Sequence, residues 1–305
     1  MRTITRLVGD LHDKLPNGVQ GFTNRTRSAR RRMQQIQRMT AQQRQQQQEP
    51  KYRELLRITG QVVQNARQIV EPTKNTKAVD MLAGLAIEQL QREITAYCDL
   101  ADRVIDQTRR RVLLGEKVPS EQKIYSIFEP HTDLIKRGKV LKPVEFGHKV
   151  FLAESAQGRI TDYHVLKGNP ADSDHVEGSL ERHQQTFQHP PECYAGDRGF
   201  YSADNVQRCR DSEVGEVCIP QRGGKKTAGQ EALERSKAFK KAQRFRVGIE
   251  GRISVLFRGR GMKRCRAKGR DRFEMLVGAA VLANNLMRIA HLIEDHKPKR
   301  RLAAA

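Results

Sequence analysis

Tyr194-Ala195-Gly196-Asp197-Arg198-Gly199-Phe200-Tyr201-Ser202 reads as a short strand ending in an acid, then a glycine turn and a helix start. It is answered downstream by Arg246-Val247-Gly248-Ile249-Glu250-Gly251-Arg252-Ile253-Ser254, which places a second acid on a helix crowded with arginines. Two carboxylates delivered this way into a basic chain point to hard divalent cations working on a nucleic-acid backbone. Such sites as a rule need a third carboxylate, and the sequence offers no convincing one. Each acid also has a plainer reading. Asp197 can pair with Arg198 or cap the next helix. Glu250 can form a surface pair with Arg246, four residues earlier, worth only about 0.2–0.5 kcal/mol.

Around these segments the texture is mixed. Residues 144–154 and 159–165 are rich in β-branched and aromatic side chains, and Ser155-Ala156-Gln157-Gly158 between them predicts an antiparallel hairpin. Gly168-Asn169-Pro170-Ala171-Asp172-Ser173-Asp174 punctuates, and its acids can cap a helix running to Gln188. A strand over 192–197, a helix over 202–210 and a strand over 216–220 follow. Phe245, Ile249, Ile253 and Leu256 are spaced for one face of the helix that carries Glu250. The last helix, 273–296, is apolar almost all round, as expected of a helix packed on a sheet. This order predicts an α/β fold with a mixed sheet covered by helices.

The first third reads as helical. A Gln- and Arg-rich run from Ser28 ends at Glu49-Pro50, a second runs from Tyr52 to Pro72, and a third extends from Val79 to Leu114, with Gly115 as its end. The organisation expected is a helical region over 1–115, a catalytic domain over 116–296 and a basic tail over 297–305.

Lys and Arg number 57 against 35 acids, a net charge of +22. That excess favours a polyanionic partner and salt-dependent binding. No apolar run of about eighteen residues exists and the N-terminus lacks a signal-peptide core, so nucleic acid is favoured over membrane and a cytoplasmic location is expected. The 5 cysteines are spread without a C-x-x-C pair, which favours idle thiols over zinc or disulfide chemistry. Arg252, Arg258, Arg260, Lys263 and Arg264, interleaved with glycines, form the candidate DNA track, because guanidinium forks suit phosphate oxygens. Gly223-Gly224-Lys225-Lys226-Thr227 lacks the spacing of a nucleotide-binding P-loop, so Lys225 and Lys226 are kept as backbone contacts only.

Five segments in order resemble the DDE transposases of bacterial insertion sequences. They are Ile127-Phe128-Glu129-Pro130-His131-Thr132-Asp133, Glu145-Phe146-Gly147-His148-Lys149-Val150, Gly168-Asn169-Pro170-Ala171-Asp172, Gly196-Asp197-Arg198-Gly199-Phe200, and Gly248-Ile249-Glu250-Gly251 followed by the helix with Ala283-Asn284-Asn285-Leu286. The resemblance covers residues 123–296. It implies an RNase-H-like domain in which three acids hold two Mg²⁺ ions for cleavage and strand transfer at terminal repeats. Asp197 matches the second acid, Glu250 the last, and Arg246 an arginine that many relatives place four residues before that glutamate. Gln243 stands where relatives have tyrosine, and Phe257 where they have lysine. The first acid has no counterpart. Asp133 falls in a segment that in relatives follows the helical insertion, so it is not assigned. The chain therefore reads as an N-terminally truncated transposase, a possible homo-oligomer, and incomplete as an enzyme. The alternative is a non-enzymatic DNA-binding and oligomerising remnant that could inhibit a full-length transposase.

Overall fold

The computed structural model describes residues 1–73, 80–137 and 143–295; Val79 and the basic tail lie outside the described residues. The chain divides into two compact units, Met1–Thr132 and the residues from Asp133 onward.

The first unit is helical: α1 (Arg2–His12), α2 (Thr26–Gln37), α3 (Ala41–Thr73) and α4 (Met81–Thr108), which runs into a π-turn at Arg109–Leu113. Ile4, Leu7, Val8 and Leu11 recur at helical spacing and give α1 a buried face. They close one core with Val62, Val63, Ala66, Ile69 and Val70 of α3 and Ile87, Ile94 and Cys98 of α4. Across the α3–α4 surface, Arg67 donates to Asp99 and Asp102, both at 2.6 Å. Pro50 does not end a helix as expected, because α3 continues through it and Pro72. The carbonyl that loses its donor at Pro50 faces solvent, where water replaces the bond. The break falls instead at 38–40. Gly115 does end the third helix, with φ +68°.

The unit extends past the expected boundary at 115. Gln107 clasps Ile124, donating to its carbonyl at 3.1 Å and accepting from its N–H at 2.8 Å, and Val118 and Ile124 are buried. Residues 116–132 thus belong with the helices.

The second unit runs β1 (Asp133–Lys136), β2 (Val144–Gly147), β3 (Val150–Glu154), β4 (Ile160–Val165), α5 (Val176–Phe187), β5 (Cys193–Ala195), α6 (Ala203–Asp211), β6 (Glu216–Cys218), α7 (Ala228–Arg235), α8 (Lys237–Val247), α9 (Ile249–Gly259) and α10 (Arg270–Asp295). Where one mixed sheet is expected, the described strands form three separate pairs: β1–β2 and β3–β4 antiparallel, β5–β6 parallel. The strands are three to six residues long, and helices and loops rather than further strands flank each pair. The predicted turn at 155–158 does close the β3–β4 hairpin, with Gly158 at φ +79°. Ser202 caps α6 by accepting from Asn205 N–H at 3.0 Å.

Polar clamps fix α10 along β4. Asn285 both accepts from Ile160 N–H and donates to Ile160 O, each at 2.8 Å. Arg270 reaches Val165 O at 2.9 Å and Arg288 reaches Gln157 O at 2.7 Å. Gly278 lets the hairpin approach, since a Cβ there would lie 2.6 Å from the Tyr163 hydroxyl. By length and composition α10 could cross a membrane, with mean hydropathy 1.5 over its most apolar window. One face (Val277, Ala280, Val281) is buried and the clamps hold it to β4. Only 17% of that window is buried, so the all-round packing expected of this helix is not met and most of its apolar side chains are exposed.

Candidate acidic site

Asp197 follows β5 by two residues and is the N-cap of a short 3₁₀ turn, its Oδ1 accepting from Gly199 N–H at 2.7 Å. The plainer reading of Asp197 is therefore half right: it caps, but its cation is Arg246 of α8, with Nη1 3.4 Å from Oδ2, and not Arg198. Gln243 explains how α8 reaches the strand ends. Its amide donates to Gly196 O at 3.0 Å and Cys218 O at 2.6 Å, stitching the helix to both strands one turn before Arg246. The glutamine that departs from the family pattern is thus a positioning residue for the arginine.

A second carboxylate lies here that the sequence reading did not assign to the site. A Cβ on Gly199 would meet Asp172 Oδ2 at 2.8 Å and Asp197 Oδ1 at 2.9 Å, so the two acids face one another across the space a side chain would fill. Asn205, buried on α6, holds the two loops in register by donating to Ser173 O at 2.8 Å and Phe200 O at 3.0 Å. Lys149 completes the group, its Nζ 2.8 Å from both Asp172 Oδ1 and Pro170 O. Asp172 reads in the sequence as a helix-capping acid in a turn; only the fold of that turn onto Gly199 makes it part of the site.

Glu250 is placed differently. The helix expected to carry it from Phe245 onward breaks at Gly248, leaving Phe245 and Arg246 on α8 and Glu250 in the first turn of α9. The apolar seam is split in the same way, and of its four members only Leu256 is buried. Arg246 turns to Asp197, so the Glu250–Arg246 pair does not form, and Glu250 is exposed with no hydrogen bond or ion pair among the described residues. Asp172, Asp197 and Glu250 do not make a three-ligand group: among the described residues the ligand atoms of such a group converge only at Cys193, Glu216 and Cys218. Asp133, on β1, accepts from His148 Nδ1 at 2.9 Å.

The basic residues sort into engaged and available. Arg252 pairs with Glu154, lies 4.4 Å over the Phe245 ring and donates to Phe245 O at 3.0 Å. Lys226 is 2.5 Å from Glu234. Burial alone pushes the Glu234 carboxyl up, but hydrogen bonds from Lys226, Gln221 N–H and Gln230 outweigh it and leave the group below its ordinary value. Lys225, Arg258, Lys263 and Arg264 are exposed, and Arg260 is half-buried with Nη1 on Gly259 O at 3.2 Å.

Fit to Mg²⁺ is partial. Asp172 and Asp197 offer hard oxygens beside a side-chain-free gap and stay 42% and 46% exposed, which suits one hard cation. A second ion would need Glu250, which stands outside the group.

Protein-family models, curated proteins and solved structures were all compared with the chain. None matches.

Proposed function

We propose that this chain is a DNA-strand-processing domain of the DDE-transposase type, RNase-H-like in descent, cytoplasmic, and crippled as a catalyst. One observation carries the reading: Asp197, at the end of a parallel strand pair, faces Asp172 across Gly199 and is partnered by Arg246 from α8. That is the setting a phosphodiester-processing acid needs, rigid and rimmed by cations. Asp197 and Asp172 would hold Mg²⁺, which when bound activates a hydroxyl toward phosphorus. Arg246 and Lys149 orient the two carboxylates. Arg258, Lys263, Arg264 and Lys225 engage DNA phosphates, with terminal repeats and target DNA as the expected ligands. Because Glu250 stands apart, the pair holds one ion and not two, and turnover is low.

That same isolation of Glu250 favours the second reading, a DNA-binding and self-associating remnant. Self-association has a surface. Met275, Ala279, Leu282, Leu286, Ile289 and Ile293 recur at alternating steps of four and three along α10 and are all exposed. This is the seam of a helix that packs against another helix, and a second copy supplies its match.

Nicking of supercoiled plasmid with Mg²⁺, run beside salt-dependent anisotropy on duplex DNA, tests both. Slow nicking lost in Asp197→Asn with binding retained supports the first reading; salt-sensitive binding with no nicking selects the second. Nicking that survives Asp197→Asn overturns the assignment of Asp197.

A further inference from the structure

We propose that Cys193, Glu216 and Cys218 form a binding site for a thiophilic divalent cation of the zinc class. The register of β5 and β6 builds it. Cys193 stands beside Glu216 and Ala195 beside Cys218, so all three ligating side chains leave the same face of the ladder. The other face carries Tyr194 and Val217 against the apolar cluster of Val176, Leu180, Cys209, Val214 and Ile219. One Sγ, a carboxylate oxygen and the second Sγ all lie within 4.8 Å of one another. Zn–S bonds of about 2.3 Å and Zn–O bonds of about 2.0–2.2 Å at tetrahedral angles put ligand atoms roughly 3.5–3.8 Å apart, about 1 Å inside that limit, a distance that side-chain rotation can close.

The surroundings agree. Cys218 is buried and its backbone is pinned, with its carbonyl accepting from Gln243 Nε2 at 2.6 Å and Gly196 N–H at 3.4 Å. Cys193 and Glu216 are on the exposed side, which leaves the fourth tetrahedral position open to water. Glu216 has no ion pair among the described residues, so its charge is available to a cation. Two thiolates select a zinc-like ion over Mg²⁺, which takes oxygen ligands. The ion would tie together the two strands whose ends lead to Asp197 and accept the hydrogen bonds of Gln243. The proposal does not depend on the DNA-processing reading.

The test uses the full chain, reduced and stripped with chelator, then titrated with Co²⁺ and followed by absorption. One Co²⁺ should bind per chain, with a thiolate-to-cobalt charge-transfer band and tetrahedral d–d bands, and one equivalent of Zn²⁺ should bleach both. Cys193→Ser and Cys218→Ser should each remove the band and weaken binding by more than about a hundred-fold, and Glu216→Gln should weaken it about ten-fold or more. Cys265→Ser, remote in sequence and outside the trio, should change nothing. Cys193 is exposed, so its serine variant keeps the fold, which circular dichroism checks. No charge-transfer band in the reduced wild type, or a band that persists in both Cys193→Ser and Cys218→Ser, overturns the site. A Cys193–Cys218 disulfide that resists reductant overturns it as well.

Discussion

The helical unit and the unit from Asp133 onward solve folding by different means. The first closes a single apolar core from three helices, with Leu11, Val62, Ala66, Ile94 and Cys98 fully buried. The second spreads a small cluster of five buried residues and three short strand pairs among many helices, and holds them with side-chain-to-backbone clamps at Asn205, Gln243, Arg270, Asn285 and Arg288. Polar clamps fix directions more sharply than they add stability, since each hydrogen bond nets about 1 kcal/mol. The difference teaches where chemistry can live: the candidate acids and thiols are in the clamped unit, and the packed one has none.

The sharpest break of this contrast is a cavity. Ile94→Ala should cost about 2–5 kcal/mol, seen as an early denaturant transition in hydrogen exchange of Met1–Thr132. Val176→Ala, in the smaller core, should cost less, about 1–3 kcal/mol, because fewer atoms are removed. Equal losses would mean that the second unit relies on packing as much as the first.

Next in size is Asn285→Ala. It removes two hydrogen bonds and strands the Ile160 N–H and carbonyl, at a cost of about 2 kcal/mol. Exchange should accelerate in β3, β4 and α10 and not in α5 or α6. A neutral result would move the second unit's stability from its clamps to its apolar contacts.

Gly199→Ala acts on the site rather than on the core. The new methyl would meet two carboxylate oxygens under 3 Å, so Asp172 and Asp197 must part. The expected loss of stability is at most about 1 kcal/mol, since both oxygens end side chains that can rotate away, with any Mg²⁺-dependent nicking abolished and DNA binding intact. A variant that nicks at the wild-type rate would remove Asp172 from the acidic group.

Local signals made much of the second unit legible. The Ser202 cap, the turn at 155–158 and the strand-to-turn pattern up to Asp197 each depend on neighbours in sequence. What stayed hidden depends on partners far along the chain. Asp172 joins Asp197 only because Asn205 ties their loops, and Cys193 meets Cys218 only through parallel pairing, which no C-x-x-C spacing announces. Pro50 misled because an exposed proline in a long helix loses a bond that water restores. Gly248 misled in the opposite sense: a continuous 3.6-residue pattern runs across it, yet the helix breaks there and sends Arg246 to a different acid. Cys98 and Cys209 fit the idle-thiol reading, as burial pushes both up to about 11.

The smallest effect is one of pH. Burial, with His189 adding repulsion, holds the His183 imidazole below its ordinary 6.5. The ring lies tilted against Phe187 at 4.7 Å and edge-on to His189 at 5.9 Å, and its Nε2 is buried without a partner. His175 is likewise held low by burial, against the opposing charge of Asp174. The unfolded chain takes up these protons first, so the contribution is present in full above about pH 6.5 and declines as pH falls toward the lowered folded-state values. Melting of the second unit should therefore drop between about pH 7 and pH 5, and His183→Gln should flatten part of that slope while leaving the transition of Met1–Thr132 unmoved. A slope that is the same in the variant would assign the acid sensitivity to His175 and to carboxylates such as Glu234, whose depressed value makes it lose its bonds to Lys226 only at lower pH. That result would move the unit's acid-sensitive point away from the His183 ring.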